Sequence, residues 1–169
     1  MCNKKIEQNI EHKVEFLDKK VIDRGRGWDL QNPFTIEITV CRSDIDSLGH
    51  ANNVAYVKWL EEVSWAHSAS LGIDLVKYNQ LQRAMVIRRH VLEYLAPSFL
   101  GNKILIGTWI VMCDEKYSLT RRFQICKTDT GQTIFRGATT FVCVDLKSGR
   151  PRRMPEAYSQ VYGAAVSKE

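Results

Sequence analysis

The densest group of chemically able side chains runs from Asp44 to Tyr56, in the order Asp-Ile-Asp-Ser-Leu-Gly-His-Ala-Asn-Asn-Val-Ala-Tyr. Two carboxylates (Asp44, Asp46), an imidazole (His50) and two amides (Asn52, Asn53) crowd the entry to a helical pattern, where the first backbone N–H groups lack partners inside the helix. A carboxylate held there can work as a nucleophile or as a base toward water, and the helix start favours negative charge beside it. Capping explains one of the two asparagines, because Asn is preferred just before a first turn. It does not require Asp46, Gly49 and His50 as well, so the stretch reads as a site.

Other groups make weaker claims. Glu61 and Glu62 are neighbours on the same predicted helix, so they point to different faces, and solvation or pairing with a nearby cation is the expected role of one or both. Ser64 and His67 stand three apart but lack a third group to orient them. The pairs Arg88-Arg89 and Arg121-Arg122, with Arg150, Arg152 and Arg153, are able to contact phosphates, but solvated strand edges are the expected place for most of them. Cys2, Cys41, Cys113, Cys126 and Cys143 show no metal-ligand spacing, and their odd number does not fit a full disulfide framework. No metal is expected.

The elements that must position the site follow from periodicity. Phe34, Ile36, Ile38 and Val40 alternate as on a half-buried strand. Val54, Val57, Leu60 and Val63 fall at helical spacing within Asn53 to Leu71, and Gly72 is placed to stop the helix. A loop containing Asn79 is expected next, then strands at roughly 84–95, 102–114, 117–128 and 132–146, joined by short turns that predict antiparallel hairpins. One strand, one long helix and four more strands describe an α+β arrangement in which a sheet wraps a single helix.

Residues 1–33 are highly charged, with Ile6, Ile10, Val14, Leu17 and Val21 at helical spacing and Gly25, Gly27, Asn32 and Pro33 after them. They are expected as an N-terminal extension, helical or flexible, before a domain at 34–155 and a short C-terminal tail at 156–169. The 169 residues, 44% hydrophobic and 25% charged, suit one globular domain. No apolar run approaches the ~20 residues that cross a bilayer, and the charged N-terminus lacks a signal peptide's apolar stretch. A cytoplasmic protein without membrane association is expected. The net charge of +5 favours acidic partners. The basic residues are scattered without a nucleic-acid signature, and phosphates such as those of coenzyme A, or an acidic carrier protein, fit the charge equally well.

The pattern D-x-D-x-x-G-H-x-N-N-x-x-Y, here DIDSLGHANNVAY, resembles the 4-hydroxybenzoyl-CoA thioesterase-like branch of the hot-dog superfamily, and it is similar to the DIDxxxHxNN segment of plant acyl-ACP thioesterases. The likeness continues through YVKWLEEV, LEYLAPSFLGNKILIGTWIV and FRGATTFVCVDLKSGRPRRMP, spanning about residues 34 to 155. The resemblance implies a single hot-dog fold, with an antiparallel sheet wrapped around one long central helix. It implies hydrolysis of an acyl-CoA or acyl-carrier-protein thioester without a cofactor. Asp46 is then the catalytic carboxylate, as nucleophile or base, and a backbone N–H near Asn53 receives the oxyanion. His50 either orients Asp46 or the substrate or serves the turn as a hydrogen-bond donor, and Asn52 is similarly open between cap and substrate contact. Tyr56 is placed to line the pocket or to pack under the sheet. A homodimer with sheets joined edge to edge, often paired into a homotetramer with sites at the subunit interface, is also implied.

The chain departs from both relatives. Some bacterial members place a Tyr four residues before the catalytic Asp and a His seven after it, where this sequence has Arg42 and Asn53; the plant enzymes place an Asn where it has Leu48. Two other functions use the same residues. One is hydration or dehydration of an acyl thioester by His50 and Asp46, and the other is acyl-CoA or acyl-carrier binding without turnover. The G-H-x-N-N context favours hydrolysis.

Overall fold

The computed structural model describes residues 27–167. The amphipathic helix expected between Ile6 and Val21 lies outside the described residues. Strand β1, Phe34–Thr39, buries Ile36 and Ile38 on one face, as their alternation predicts. Strands β2 (Arg83–Tyr94), β3 (Lys103–Cys113), β4 (Ser118–Lys127) and β5 (Thr133–Asp145) complete a sheet in the order β1-β3-β4-β5-β2. All neighbours are antiparallel. The short turns make hairpins of β3-β4 and β4-β5, while β2 lies at the far edge, so the chain crosses the sheet between β2 and β3.

Helix α1, Asn53–Ser70, spans 18 residues, about 27 Å at ~1.5 Å per residue. It lies on the sheet through Tyr56, Trp59, Leu60 and Val63, which pack with Ile36, Ile104, Ile106, Phe123, Ile125 and Phe135. Trp59, Leu60 and Val63 are at most 2% exposed, and burying such a side chain contributes roughly 1.5–3 kcal/mol. The helix stops where Gly72 takes φ of 82°, a conformation that costs glycine little.

Two further helices appear where the sequence suggested none. Helix α2, Leu75–Leu81, occupies the expected loop around Asn79; the Asp74 side chain caps it by accepting from the Lys77 N–H, and Gln82 closes it in the left-handed region. Two turns are too short to display a 3.6-residue period. Helix α3, Glu156–Ala164, lies within the stretch expected as a tail. Its Tyr158 and Tyr162 enter a second apolar cluster with Ile73, Tyr78, Ile110, Leu119 and Cys143, and the Tyr158 hydroxyl donates to the Arg83 carbonyl at 3.0 Å.

Residues 27–33, assigned to the extension by their Gly and Pro punctuation, lie along the sheet face turned away from α1. The Trp28 ring meets Trp109 edge-on, with centroids 5.8 Å apart. Gly107 makes room for it, since a Cβ there would stand 2.7 Å from the indole. Arg136 donates twice to the Asp29 carboxylate, at 2.7 and 2.9 Å, and these bonds hold that carboxyl below its ordinary pKa. Gln124 clasps the same segment, accepting from the Asp29 N–H and donating to the Gly27 carbonyl.

Candidate active site

The Asp44–Asn53 stretch folds back on itself before α1 begins. Ile45 bridges Ala51, the Asp46 N–H donates to the His50 carbonyl at 3.0 Å, and the Asn52 N–H donates to the Asp44 carbonyl at 2.8 Å. These three rungs make a miniature hairpin. Gly49, at φ of 84°, supplies the left-handed residue of its turn. The loop is tied to the rest of the fold by the Ala51 N–H, which donates to the Ser98 carbonyl at 2.8 Å.

The two carboxylates separate by role. Asp44 is buried, and its Oδ2 accepts from the Cys41 N–H at 2.9 Å and the Cys41 thiol at 3.0 Å, so it closes the single 3-10 turn at Arg42–Asp44. Asp46 keeps about a quarter of its side chain, 24%, in reach of solvent. Its Oδ1 accepts from the Leu48 N–H at 2.8 Å, which fixes the carboxylate plane. Its Oδ2 faces His50 Nδ1 at 3.7 Å, beyond hydrogen-bond length but close enough to orient the pair. His50 is half-buried.

At the helix tip the donors are apportioned one by one. Asn52 Oδ1 accepts from the Val54 N–H at 2.9 Å, and the Asn52 carbonyl accepts from Ala55. Among the described residues nothing accepts from the Asn53 N–H, the first donor of α1. Asn52 is thus the cap, with its side-chain carbonyl occupied, and the Asn53 N–H is left open among the described residues. Tyr56 is placed in the core, 3% exposed and packed on Trp59, Tyr94 and Phe135. Its hydroxyl lies 3.0 Å from Ser98 Oγ. Ser98 therefore holds the site loop through its carbonyl and Tyr56 through its hydroxyl; nothing local in the sequence marks it, because both contacts span the chain.

The weaker groups also find places. Glu62 lies 3.8 Å from Lys58, while Glu61 is exposed on another face of α1. Ser64 Oγ donates to the Leu60 carbonyl and His67 Nδ1 meets Arg121, so the Ser64–His67 spacing does not assemble a nucleophile and base. Arg88, Arg89, Arg122, Arg150, Arg152 and Arg153 are exposed, as expected. Arg121 departs from that expectation and is buried. The alternation Leu119, Arg121, Phe123, Ile125 was the signal, since it puts the arginine on the face that meets α1. Burial pushes the Cys143 thiol up to about 11, which keeps it protonated at neutral pH. Among the described residues no cluster of three or more His, Cys, Asp or Glu is arranged to hold a metal ion, and no helix is long and apolar enough to cross a membrane.

Beginning one turn past the tip, a cavity of about 390 Å³ follows α1 from Val57 through Leu60, Ser64 and Ser68, with β2, β4 and β5 opposite. Its wall is largely apolar, and its size falls in the range of small-molecule pockets. An open amide donor and a carboxylate carried on one short hairpin suit attack on an acyl carbonyl carbon; the apolar cavity begins at Val57, and Asp46, His50, Asn52 and Asn53 are not among its lining residues.

No curated protein matches the chain in sequence. Solved structures match it in fold. A 1,4-dihydroxy-2-naphthoyl-CoA thioesterase from Synechocystis is 18% identical, with a TM-score of 0.70 over 78% of this chain and 96% of that one. A Staphylococcus aureus protein in complex with CoA is 20% identical, with a TM-score of 0.74 over 83% and 89%. A 12:0-ACP thioesterase from Umbellularia californica is 16% identical, with a TM-score of 0.71, and covers 84% of this chain but only 57% of its own. The antiparallel sheet around one long helix is the hot-dog fold, as expected from the motif. The model of the thioesterase-like superfamily matches residues 40–161, from just before the Asp46 loop into α3. With most of its length so matched, the chain belongs to the thioesterase-like superfamily.

Proposed function

We propose that the protein is a thioester hydrolase acting on acyl-CoA, with the Asp46 carboxylate driving attack on the thioester carbon and the Asn53 N–H receiving the oxyanion. The observation that carries this reading is the open Asn53 donor at the end of the same short hairpin that presents Asp46. Asp46 acts either as the nucleophile, through an anhydride that water then cleaves, or as the base that deprotonates the water. Both routes break the C–S bond and release a free acid and a thiol, with no metal or cofactor. His50 orients the carboxylate from 3.7 Å, and Tyr56 with Ser98 holds the loop from beneath. The fold match to a protein bound to CoA favours CoA over a carrier protein as the thiol, while the positive net charge of the chain suits either.

The same reading pairs two copies along β2. Among the described residues the outer edge of this strand has no partner in the sheet, and Val86, Ile87, Val91 and Tyr94 are exposed on it. Long unpaired edges with apolar side chains are covered in stable proteins, and a homodimer, or a homotetramer built from two, covers this one. A solution mass equal to a single chain would refute the assembly.

Thiol release from short, medium, long and aromatic acyl-CoAs tests the activity. Asp46→Asn is expected to lower kcat/KM by about 10²- to 10⁴-fold, the usual weight of such a group. Full activity in that variant removes Asp46 from the mechanism. Turnover of acyl-carrier proteins with no response to CoA thioesters moves the substrate class. A hydrated product without free thiol indicates a hydratase, and saturable binding without turnover indicates a binding module.

A further inference from the structure

Arg121 is a buried charge that thioester hydrolysis alone leaves without a task. It is 2% exposed on the inward face of β4. Nη1 lies 2.7 Å from His67 Nδ1, Nη2 donates to Ser68 Oγ at 2.9 Å, and the guanidinium carbon stands 5.9 Å from the centre of the Tyr162 ring. Arginine only donates, so His67 Nδ1 accepts with its lone pair. None of these three neighbours is a carboxylate, and among the described residues no carboxylate pairs with Arg121. Desolvation lowers its pKa, yet a guanidinium keeps its proton in proteins. A cation buried among neutral groups is unfavourable unless an anion joins it.

Arg121 also borders a cavity. Arg121, Ser68 and Tyr162 line the cavity along α1, whose remaining wall is largely apolar but also carries Ser64, His90 and Thr139. Glu61, the acidic side chain on the same wall, is exposed and lies seven residues nearer the tip than Ser68, about 10 Å along the axis at ~1.5 Å per residue. It is placed toward solvent and does not answer Arg121.

We infer that the cavity takes an acyl group with a carboxylate at its far end, the half-thioester of an α,ω-dicarboxylic acid, and that Arg121 is the residue that selects it. The inference rests on the thioesterase reading for the fate of the other end. A planar guanidinium fits a carboxylate through paired N–H donors, whereas an unsubstituted alkyl chain leaves the buried cation unanswered. The largely apolar wall beside the arginine makes the match dependent on length.

Matched CoA thioesters test this: straight-chain acyl groups of four to ten carbons, each compared with the ω-carboxyl acyl group of the same length, on wild type, Arg121→Met and Arg121→Lys. At one length wild type is expected to favour the ω-carboxyl member by at least about tenfold in kcat/KM, the usual worth of a charged hydrogen bond, and mainly through KM. Arg121→Met reverses the order and Arg121→Lys keeps part of it. Calorimetry with the free dicarboxylic acids reads the same site without turnover: saturable binding to wild type that the Met variant lacks. Hydrolysis of both series without preference, together with no dicarboxylate binding, overturns the inference and leaves the thioesterase reading standing. Arg121-dependent dicarboxylate binding without hydrolysis of either series does the reverse. Should the Met variant not fold, the wild-type preference and the Lys variant decide.

Discussion

Asn52→Asp separates what the helix tip does for the fold from what it does for chemistry. In the wild type Asn52 Oδ1 accepts from the Val54 N–H at 2.9 Å. Aspartate presents an oxygen in the same place, and Asn and Asp cap helices equally well. The added charge at a helix N-terminus stabilises by about 0.3–1 kcal/mol, so melting is expected to hold or rise by roughly 1–4 °C for a domain of this size. Catalysis moves the other way. An oxyanion on the Asn53 N–H would stand about 5 Å from the new carboxylate, where two unit charges repel by about 0.8 kcal/mol in water and about 3 kcal/mol at a protein-surface dielectric. Those limits lower kcat/KM by about 4-fold to about 200-fold. Asn52 is exposed, which favours the smaller figure and makes the loss sensitive to salt. Raising ionic strength from ~0.01 to ~1 M shrinks the screening length from about 30 to about 3 Å, and most of the lost activity should return. Thiol-release kinetics at both salts, beside thermal unfolding, give the answer. A variant as stable and as active as wild type at low salt would refute the placement of the oxyanion at this tip.

Three further outcomes follow from packing and charge. Gly107→Ala puts a Cβ 2.7 Å from the Trp28 ring, and overpacking of this kind costs about 1–3 kcal/mol; denaturant unfolding should show Trp28→Ala recovering much of that loss in the double variant. Asp29→Asn should be less stable than wild type at neutral pH. The Arg136 bonds depress the folded carboxyl, so their contribution is complete above the ordinary Asp value of about 3.9 and lost as pH falls through the lower folded value; the two melting curves should therefore converge in acid, and a gap that persists there would exclude the ion pair as its cause. Tyr56→Phe removes the hydroxyl 3.0 Å from Ser98 Oγ and should cost about 1 kcal/mol with a loss in kcat larger than any change in KM, because Ser98 also holds the Ala51 N–H of the site loop.

How far the sequence foretold this molecule depends on the range over which each feature is encoded. Strand alternation, short turns and a capping asparagine before the helix are local, and β1 to β5 and α1 fall within about two residues of their expected limits. The motif from Asp44 to Tyr56 is local too, yet its division of labour is not. Only the folded hairpin shows that Asp44 is occupied by Cys41, that Asn52 is occupied by Val54, and that Asn53 is left open. Helix α2 escaped notice because it is two turns long, and residues 27–33 because Trp28 finds its seat on Gly107 in the middle of β3.

Arg121 shows how a local signal can be present and still be overruled by a general expectation. Charged residues on strands usually face water, and a pair of adjacent arginines invites that reading for both. Adjacent residues on a strand nevertheless point to opposite faces, so Arg121 and Arg122 cannot share an environment. The pattern Leu119, Phe123 and Ile125 assigns Arg121 to the apolar side, while Arg122 goes to the outer face near Asp29. The inward arginine then needs partners that the strand does not supply, and it finds His67 and Ser68 on α1 and Tyr162 on α3. Helix α3 is thus tied to the end of the cavity by one residue of the group that surrounds the cation. Truncation before Glu156 should on this account disturb the selection of the acyl group as well as the stability of the fold, and a shortened chain that hydrolyses the matched thioesters in wild-type proportion would break that connection.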